Sequence, residues 1–151
     1  MTSADRRRVE IEAPGQAAPI SHYAHAVRAD GPLLFVSGVV PVDGEGRLVG
    51  GGDVVEQARC VFANLAEVLA AGGADLTDVV KVTVFLTDVG DRPRINPVRE
   101  AAFGAVRPAS TLVEVSKLAI EGARVEIEAI ACKAHAVRGL EDGAVITDGR
   151  G

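Results

Sequence analysis

The sequence predicts an α+β domain in which two helices cover one face of a mixed β-sheet. The first observation is an apolar stripe over residues 53–71 that recurs at three- and four-residue steps, as in an amphipathic helix. The second is a run of β-branched residues over 78–86, which is typical of a strand. The third is the order of the predicted elements: strand, strand, strand, helix, strand, helix, strand, strand. Since both helices lie on one face, we expect another subunit to cover the other face.

The first part of the chain predicts three extended segments. Residues 1–8 are polar and are expected to fray, and residues 9–12 form a short edge strand. Residues 19–27 lead into a second extended segment, and residues 33–38 form a buried strand. Gly38 interrupts that strand, which indicates a bulge or a close approach of its backbone to another group.

The clearest helix covers residues 53–71. Asp53 and Glu56 have the spacing of a capping box, in which the side chain at each position binds the backbone of the other. Val68 belongs to the apolar stripe that we expect to face the sheet. The glycine pair after residue 71 ends the helix.

The second half of the chain predicts one helical segment and three strands. The strands cover residues 78–86, 110–116 and 124–133. Residues 91–103 are helical in pattern, but Pro97 either limits the helix to a short first piece or lies in the first turn of a second piece. Proline has this effect because it lacks the N–H that a helix interior requires.

Composition restricts the class of protein. Residues 1–133 form one domain, and residues 134–151 are Gly- and charge-rich without periodicity and form a loosely ordered tail. The 16 basic and 21 acidic side chains give a net charge of −5, which disfavours nucleic acid as a partner. No apolar run is long enough for a membrane span, and no signal-peptide pattern is present, so we expect a cytoplasmic protein without a membrane partner.

Two carboxylates and two histidines are candidates for chemistry. Glu126 and Glu128 share one face of their strand, and they either face solvent or line a pocket in which one of them transfers protons. His22 and His25 lie three residues apart in an extended segment and face opposite sides, so they cannot meet one metal ion. The sequence has no phosphate loop or dinucleotide-binding glycine motif. We therefore expect neither a metal nor a cofactor.

Several ordered blocks of residues together resemble the Rid (reactive intermediate deaminase) family, also called YjgF. They are residues 20–27, 35–38, 80–86, the surroundings of Asn96, 107–115 and 125–131. The resemblance implies a chorismate-mutase-like α+β fold and a barrel-like homotrimer with three clefts at the subunit interfaces. It also implies a small-molecule substrate, an imine or enamine to which water adds and from which ammonia leaves.

The same resemblance assigns roles to residues of this chain. Glu126 matches the glutamate that holds or activates the attacking water, and Tyr23 matches the tyrosine of the cleft. The positions that match substrate-binding residues of the family are Ser37, Gly38, Asn96, Ser110, Thr111 and Leu112. His22 stands where the family motif commonly has proline, and it places an additional titratable group beside Tyr23.

Ser110 departs from the family pattern. Deaminating members carry an arginine at this position, which grips the substrate carboxylate as a bidentate partner. A serine hydroxyl supplies one hydrogen bond and no charge, so affinity for a small imino acid should fall by about 2–4 kcal/mol. The nearby arginine in the sequence, Arg107, lies three residues earlier and is not a substitute. We expect a substrate without an obligatory carboxylate or a larger one, with Leu112 favouring apolar or neutral groups.

Three hypotheses for function remain, and an imine or enamine hydrolase is preferred. The second is a non-catalytic small-molecule-binding trimer that acts as a sensor, carrier or chaperone-like protein. The missing arginine favours the second hypothesis, and the retained Glu126 disfavours it, because a buried carboxylate is costly unless it is used. The third is a ribonuclease, which ranks last because an acidic chain with four Phe, one Tyr and no Trp offers little for binding RNA.

Overall fold

The computed structural model describes residues 8–133. Its strands and helices, in chain order, are β1 (Arg8–Ile11), β2 (Ala26–Ala29), β3 (Leu33–Val39), α1 (Val54–Ala71), β4 (Val79–Leu86), α2 (Arg92–Phe103), β5 (Ala109–Glu114) and β6 (Val125–Cys132). Four strands form a sheet in the order β3-β6-β4-β5, and β1 pairs with β2 separately. In the larger sheet β4 and β5 run parallel, and the other pairs are antiparallel. The predicted order of elements and the mixed sheet are confirmed.

Both helices pack on one face of the four-stranded sheet, as the sequence predicts. Val82, Val84 and Leu86 alternate along β4 and are fully buried beneath the helices. Phe62 of α1 meets Phe103 of α2 edge to face, with ring centroids 5.5 Å apart. Edge-to-face contact is favourable for aromatic rings, so this pair helps to lock the two helices together.

The other face of the sheet, called the open face below, carries the side chains that alternate with the buried ones. It bears the polar residues Lys81, Thr83 and Glu128. It also bears exposed apolar side chains: Leu33 is 56% exposed, Phe35 71% and Val113 38%. Within residues 8–133, neither helix is long and apolar enough to cross a membrane.

Helix α1 begins and ends where the sequence predicts, but its first turn differs from the prediction. The Asp53 carboxylate accepts the N–H of Val55 at 2.9 Å. The N–H of Asp53 donates to the carbonyl of Gly50 and not to Glu56, so the predicted capping box is wrong. Val68 is 45% exposed, because it lies beside the line of buried residues and outside the stripe that faces the sheet.

Helix α2 is continuous, so the prediction that Pro97 divides this segment is wrong. Pro97 is exposed, and its cost is the single hydrogen bond that an N–H there would give to the Pro93 carbonyl. Burial of Ile95 and Phe103 against the core offsets that loss, since packing of the apolar face supplies most of a helix's stability. The helix ends at Gly104, which has a φ of 59°.

The N-terminal segment differs from the prediction in two places. Arg8 is ordered, and residues 19–25 are not a regular strand. Arg8 pairs with Ala29 in the small sheet, and its guanidinium donates to the Val79 carbonyl at 2.8 Å. Fraying is therefore wrong for Arg8, and the rest of the predicted frayed segment, like the predicted tail at 134–151, lies outside the described residues. Residues 19–25 form bends and a single bridge, and the regular strand β2 follows them.

Candidate functional site

Gly38 and Glu126 meet where the pairing of β3 with β6 is irregular. The register shifts between Val36 and Val39, and a Cβ on Gly38 would overlap the carboxylate of Glu126. The predicted bulge and close approach at Gly38 are confirmed. Glu126 is half-buried on the open face, whereas Glu128, two residues later, is exposed. The glycine leaves the space that the Glu126 carboxylate occupies.

Polar side chains cluster farther along the open face. Lys81 Nζ donates to Thr111 Oγ1 at 2.7 Å. Lys81, Glu128 and Ser37 line one cavity of about 360 Å³. Burial lowers the pKa of the Lys81 ammonium group from its ordinary value, and the nearby Glu128 carboxylate opposes this effect. Thr111 therefore lies with Lys81 on the open face.

A second cavity, of about 220 Å³, lies on the opposite side of the sheet, between α2 and β5. We call it the helix-side pocket, and its lining residues are Ile20, Ser21, Tyr23, Val89, Arg92, Arg99, Ser110 and Leu112. Hydroxyl and guanidinium groups converge in it beside apolar side chains. Its volume within one chain is below the range typical of sites for drug-sized ligands.

The loop before β2 brings Tyr23 to this pocket. Ala24 forms a bridge with Ala109, and its N–H donates to the Pro108 carbonyl at 3.3 Å. This bridge fixes the loop beside the start of β5. The Tyr23 hydroxyl accepts the N–H of Ile20 at 3.4 Å, a long contact that leaves the hydroxyl hydrogen available to another acceptor.

Asn96 and His22 stabilise the same loop. Ser21 Oγ donates to Asn96 Oδ1 at 3.0 Å, which ties the loop to α2. His22 Nε2 lies 3.0 Å from the Val106 carbonyl and acts as the donor there, because a carbonyl oxygen only accepts. Both side chains hold the loop in place, and the structure puts neither on the wall of the pocket.

His25 binds a different part of the chain from His22. Its Nδ1 accepts the N–H of Ala13 at 3.1 Å, and its Nε2 donates to the Ala17 carbonyl at 2.9 Å. Both ring nitrogens of His25 are thus engaged with backbone. Across the described residues, no three His, Cys, Asp or Glu side chains are grouped so that they could hold a metal ion.

Arg99 is a pocket residue that the sequence analysis missed. It is only 2% exposed, and its Nη2 donates to Ser110 Oγ at 2.9 Å. The sequence holds a signal that could have found it, because Ile95, Arg99 and Phe103 follow one another at four-residue steps. That spacing places an arginine on the buried face of an amphipathic helix, where a charge is unusual.

The predicted site residues fall into two groups on opposite faces of the sheet. The helix-side pocket holds Tyr23, Ser110 and Leu112. The open face holds Ser37, Gly38, Thr111 and Glu126. Alternation along β5 separates Thr111 from its two neighbours, since side chains one residue apart point to opposite faces. Within one chain, Glu126 and Tyr23 therefore lie on opposite sides of the sheet.

Comparison with known proteins gives concordant results. A family described as Endoribonuclease L-PSP matches residues 10–133. A RutC family protein of Pyrococcus horikoshii is 42% identical over 115 residues, which cover 76% of this chain and 90% of the relative. A Capra hircus protein named 2-iminobutanoate/2-iminopropanoate deaminase is 42% identical over 126 residues, 83% of this chain and 89% of the relative.

A solved structure has the same fold. It is a protein of unknown function of the conserved Rid family, YyfB from Yersinia pestis. It superimposes with a TM-score of 0.77 at 32% sequence identity, over 84% of this chain and 99% of that one. The two helices on a mixed sheet are therefore an arrangement shared with Rid proteins.

Proposed function

This chain belongs to the YjgF/Rid family, and we propose that it is a deaminase-like hydrolase of reactive imines or enamines. Water adds to the imine carbon, the resulting carbinolamine loses ammonia, and a carbonyl compound remains. The relatives named as imine deaminases support this reaction type. The observation that carries the proposal is the half-buried Glu126 carboxylate, seated in the space that Gly38 leaves open.

The proposed working unit is a homotrimer in which the two groups of site residues come from neighbouring copies. The open face of one copy would lie against the helix-side pocket of the next. Its exposed apolar side chains, Leu33, Phe35 and Val113, support burial in such an interface. The same packing would bring Glu126 of one subunit close to Tyr23 of another, so that residues of two chains would line each cleft.

Each group then has a role in the proposed reaction. The Glu126 carboxylate takes a proton from water as the oxygen adds to the imine carbon, and it passes that proton to the nitrogen. Ammonia leaves as the C–N bond breaks and the carbinolamine hydroxyl gives its proton to Glu126, which leaves a carbonyl compound. The Tyr23 hydroxyl donates a hydrogen bond to the substrate. Ser37 and the backbone amide of Gly38 fix the substrate from the open face, where charge develops during addition.

The substrate is proposed to differ from the small imino acids that an arginine on β5 would hold. Residue 110 is a serine, so the strand supplies a hydroxyl and no charge at this position. Leu112, Ile20 and Val89 give the pocket an apolar wall and rim. These residues favour a larger imine or enamine with an apolar substituent.

A non-catalytic ligand-binding trimer is the second candidate, and the serine at residue 110 is the observation that favours it. In that case the cleft would bind the carbonyl compound or a related ligand without accelerating deamination. The two candidates differ in one measurable quantity, the rate of ammonia release compared with the spontaneous hydrolysis of the imine.

Ammonia release is therefore the test. Imines are generated in place from leucine by an amino-acid oxidase, and ammonia is followed with and without the protein. We expect the parent to accelerate release, and Glu126→Gln to lower the rate enhancement by a factor on the order of 10²–10⁴, the usual contribution of a general base. Glu128→Gln is the matched control, on the same strand and face, and should change the rate by less than about threefold.

Two results would count against the hydrolase. Equal loss in both glutamate variants would mean that the effect belongs to the charge of the open face and not to a base at residue 126. A parent rate equal to the spontaneous rate, together with saturable binding of the corresponding oxo acid, would favour the ligand-binding trimer.

A further inference from the structure

Arg99 is a buried cation that lacks a carboxylate partner within residues 8–133. Two other arginines of the chain are paired with carboxylates: Arg107 Nε lies 3.0 Å from Glu10, and Arg124 Nη2 lies 2.6 Å from Asp91. Those two arginines are partly exposed, with 36% and 31% of their side chains accessible. Arg99 is 2% exposed and forms no ion pair in the described chain. The most buried guanidinium of the three is thus the one without an anion.

The hydrogen bonding of Arg99 is also incomplete. A guanidinium has five N–H donors, and here Nη2 donates to the neutral hydroxyl of Ser110. The buried Nε has no hydrogen-bond partner within residues 8–133. Burial lowers the pKa of Arg99 from its ordinary value, but an arginine remains protonated at neutral pH. An unsatisfied buried charge is costly unless a further group supplies acceptors, and a bound ligand is one such group.

Arg99 and Ser110 both line the helix-side pocket, so a ligand bound there would lie against both residues. Arg92 lines the same pocket from the first turn of α2 and adds a second positive charge. The remaining polar groups in the lining are hydroxyls, and no Asp or Glu of the described chain contributes to it. A concave site lined by cations and hydroxyls attracts an anion.

We propose that Arg99 and Ser110, with Arg92 beside them, form a subsite that binds the carboxylate of the substrate. The proposal rests on the proposed function and assigns to α2 the charge that the strand lacks at residue 110. The guanidinium lies 2.9 Å from the Ser110 hydroxyl, so it places a positive charge beside β5 at residue 110. The ligand class is a carboxylate-bearing imine with an apolar substituent against Leu112 and Ile20.

The test compares an acid with its neutral ester in the full-length protein. The probe is 4-methyl-2-oxopentanoate, the carbonyl product of the imine derived from leucine, and the control ligand is its methyl ester. Calorimetry should give about tenfold or greater preference for the acid in the parent. Arg99→Met should lose that preference, and Arg99→Lys should keep part of it, because lysine retains the charge and not the planar fork.

Arg94→Met is the matched control variant. Arg94 lies on the same helix, but it pairs with Asp91 at 3.2 Å and does not line the pocket, so its removal should change acid binding by less than about twofold. Inorganic phosphate serves as a second anion. Displacement of the acid by phosphate at equal affinity would mean a general anion site and would overturn the assignment to a carboxylate.

Other outcomes also decide the matter. Equal affinity of the parent for acid and ester, or unchanged acid binding by Arg99→Met, overturns the subsite. If both Arg99 variants lose the assembly state of the parent in size-exclusion chromatography, Arg99 is an interface residue and the proposal fails. If the acid binds through Arg99 but the protein does not accelerate imine hydrolysis, the subsite is supported and the proposed deaminase function is contradicted. Imine hydrolysis by Arg99→Met with an unchanged KM supports the deaminase and overturns the subsite.

Discussion

The two faces of the sheet hold opposite charges in different surroundings. The open face holds a carboxylate beside a glycine, and the helix-side pocket holds a guanidinium that has no carboxylate partner in the described chain. On the open face, Glu126 is half-buried against Gly38. In the pocket, Arg99 is almost fully buried beside Ser110. One side therefore offers an acceptor of protons, and the other offers an unpaired cation.

Under the proposed function, neither face alone is a complete site. A base without a charged anchor cannot hold an anionic imine, and an anchor without a base cannot activate water. The two faces complement each other in charge and in chemistry. If copies of the chain stack open face against pocket, each interface acquires both parts.

The largest expected effect comes from filling the space at Gly38. Alanine there would drive a methyl group into the Glu126 carboxylate, so the carboxylate must move. We expect imine hydrolysis to fall by about 10²-fold and the free energy of unfolding to fall by about 1–3 kcal/mol, as for other overpacked sites. Activity assays and urea denaturation measure the two effects.

Gly44→Ala is the control for this change, because a Cβ at Gly44 meets no atom within 4 Å. It should leave both quantities close to those of the parent. If Gly38→Ala were as active as Gly44→Ala, the position of the Glu126 carboxylate would not matter for catalysis, and the assigned role of the open face would be wrong.

A smaller effect distinguishes paired from unpaired buried charges. Arg124→Met removes a partner from Asp91, which is 4% exposed, and should lower the free energy of unfolding by about 2–3 kcal/mol. Arg99→Met removes a cation without a carboxylate partner in the described chain and should be neutral or stabilising within about 1 kcal/mol. Urea denaturation of both variants at pH 7 gives the comparison. Similar destabilisation by both would make Arg99 a structural residue.

The smallest effect concerns the pKa of Lys81 on the open face. Glu128 opposes the lowering of that pKa by burial, so Glu128→Gln should move it further down. With a folded-state pKa below the ordinary value of about 10.4, the fold gains stability as pH rises between the two values. In Glu128→Gln the folded-state pKa is lower still, so the pH range over which stability rises begins at a lower pH. NMR titration of the lysine side chain reads the shift directly, and a rise in the variant would contradict the assignment.

Much of the fold was predictable because its elements have strong local patterns. The β-branched run of β4 and the apolar stripe of α1 specify a strand and a helix without knowledge of their neighbours. Gly38 was also informative, since a glycine inside a strand indicates a close approach. The sequence predicts a close approach at Gly38 and a functional carboxylate at Glu126, and the structure shows that these two residues are in contact.

The misses have a common physical cause, which is long-range packing. Helix α2 continues through Pro97 because Ile95 and Phe103 are buried in the core, and a local rule for proline does not include that burial. Arg99 lies 11 residues before Ser110, outside the strand motif that contains the serine, so the motif does not indicate it. The contact between them joins a helix to a strand, and separation in sequence did not identify it.

The most direct test of the central proposal, that two chains of a homotrimer complete each site, is the activity of assemblies that mix two variants. Glu126→Gln subunits and Tyr23→Phe subunits are each expected to be impaired when they assemble alone. If they are unfolded together in equal amounts and refolded, random assembly around a cyclic trimer should give about one quarter of the clefts both intact residues. We expect imine hydrolysis to recover to about that fraction of the parent rate. Activity no greater than the average of the separate variants would show that the two residues do not meet between subunits.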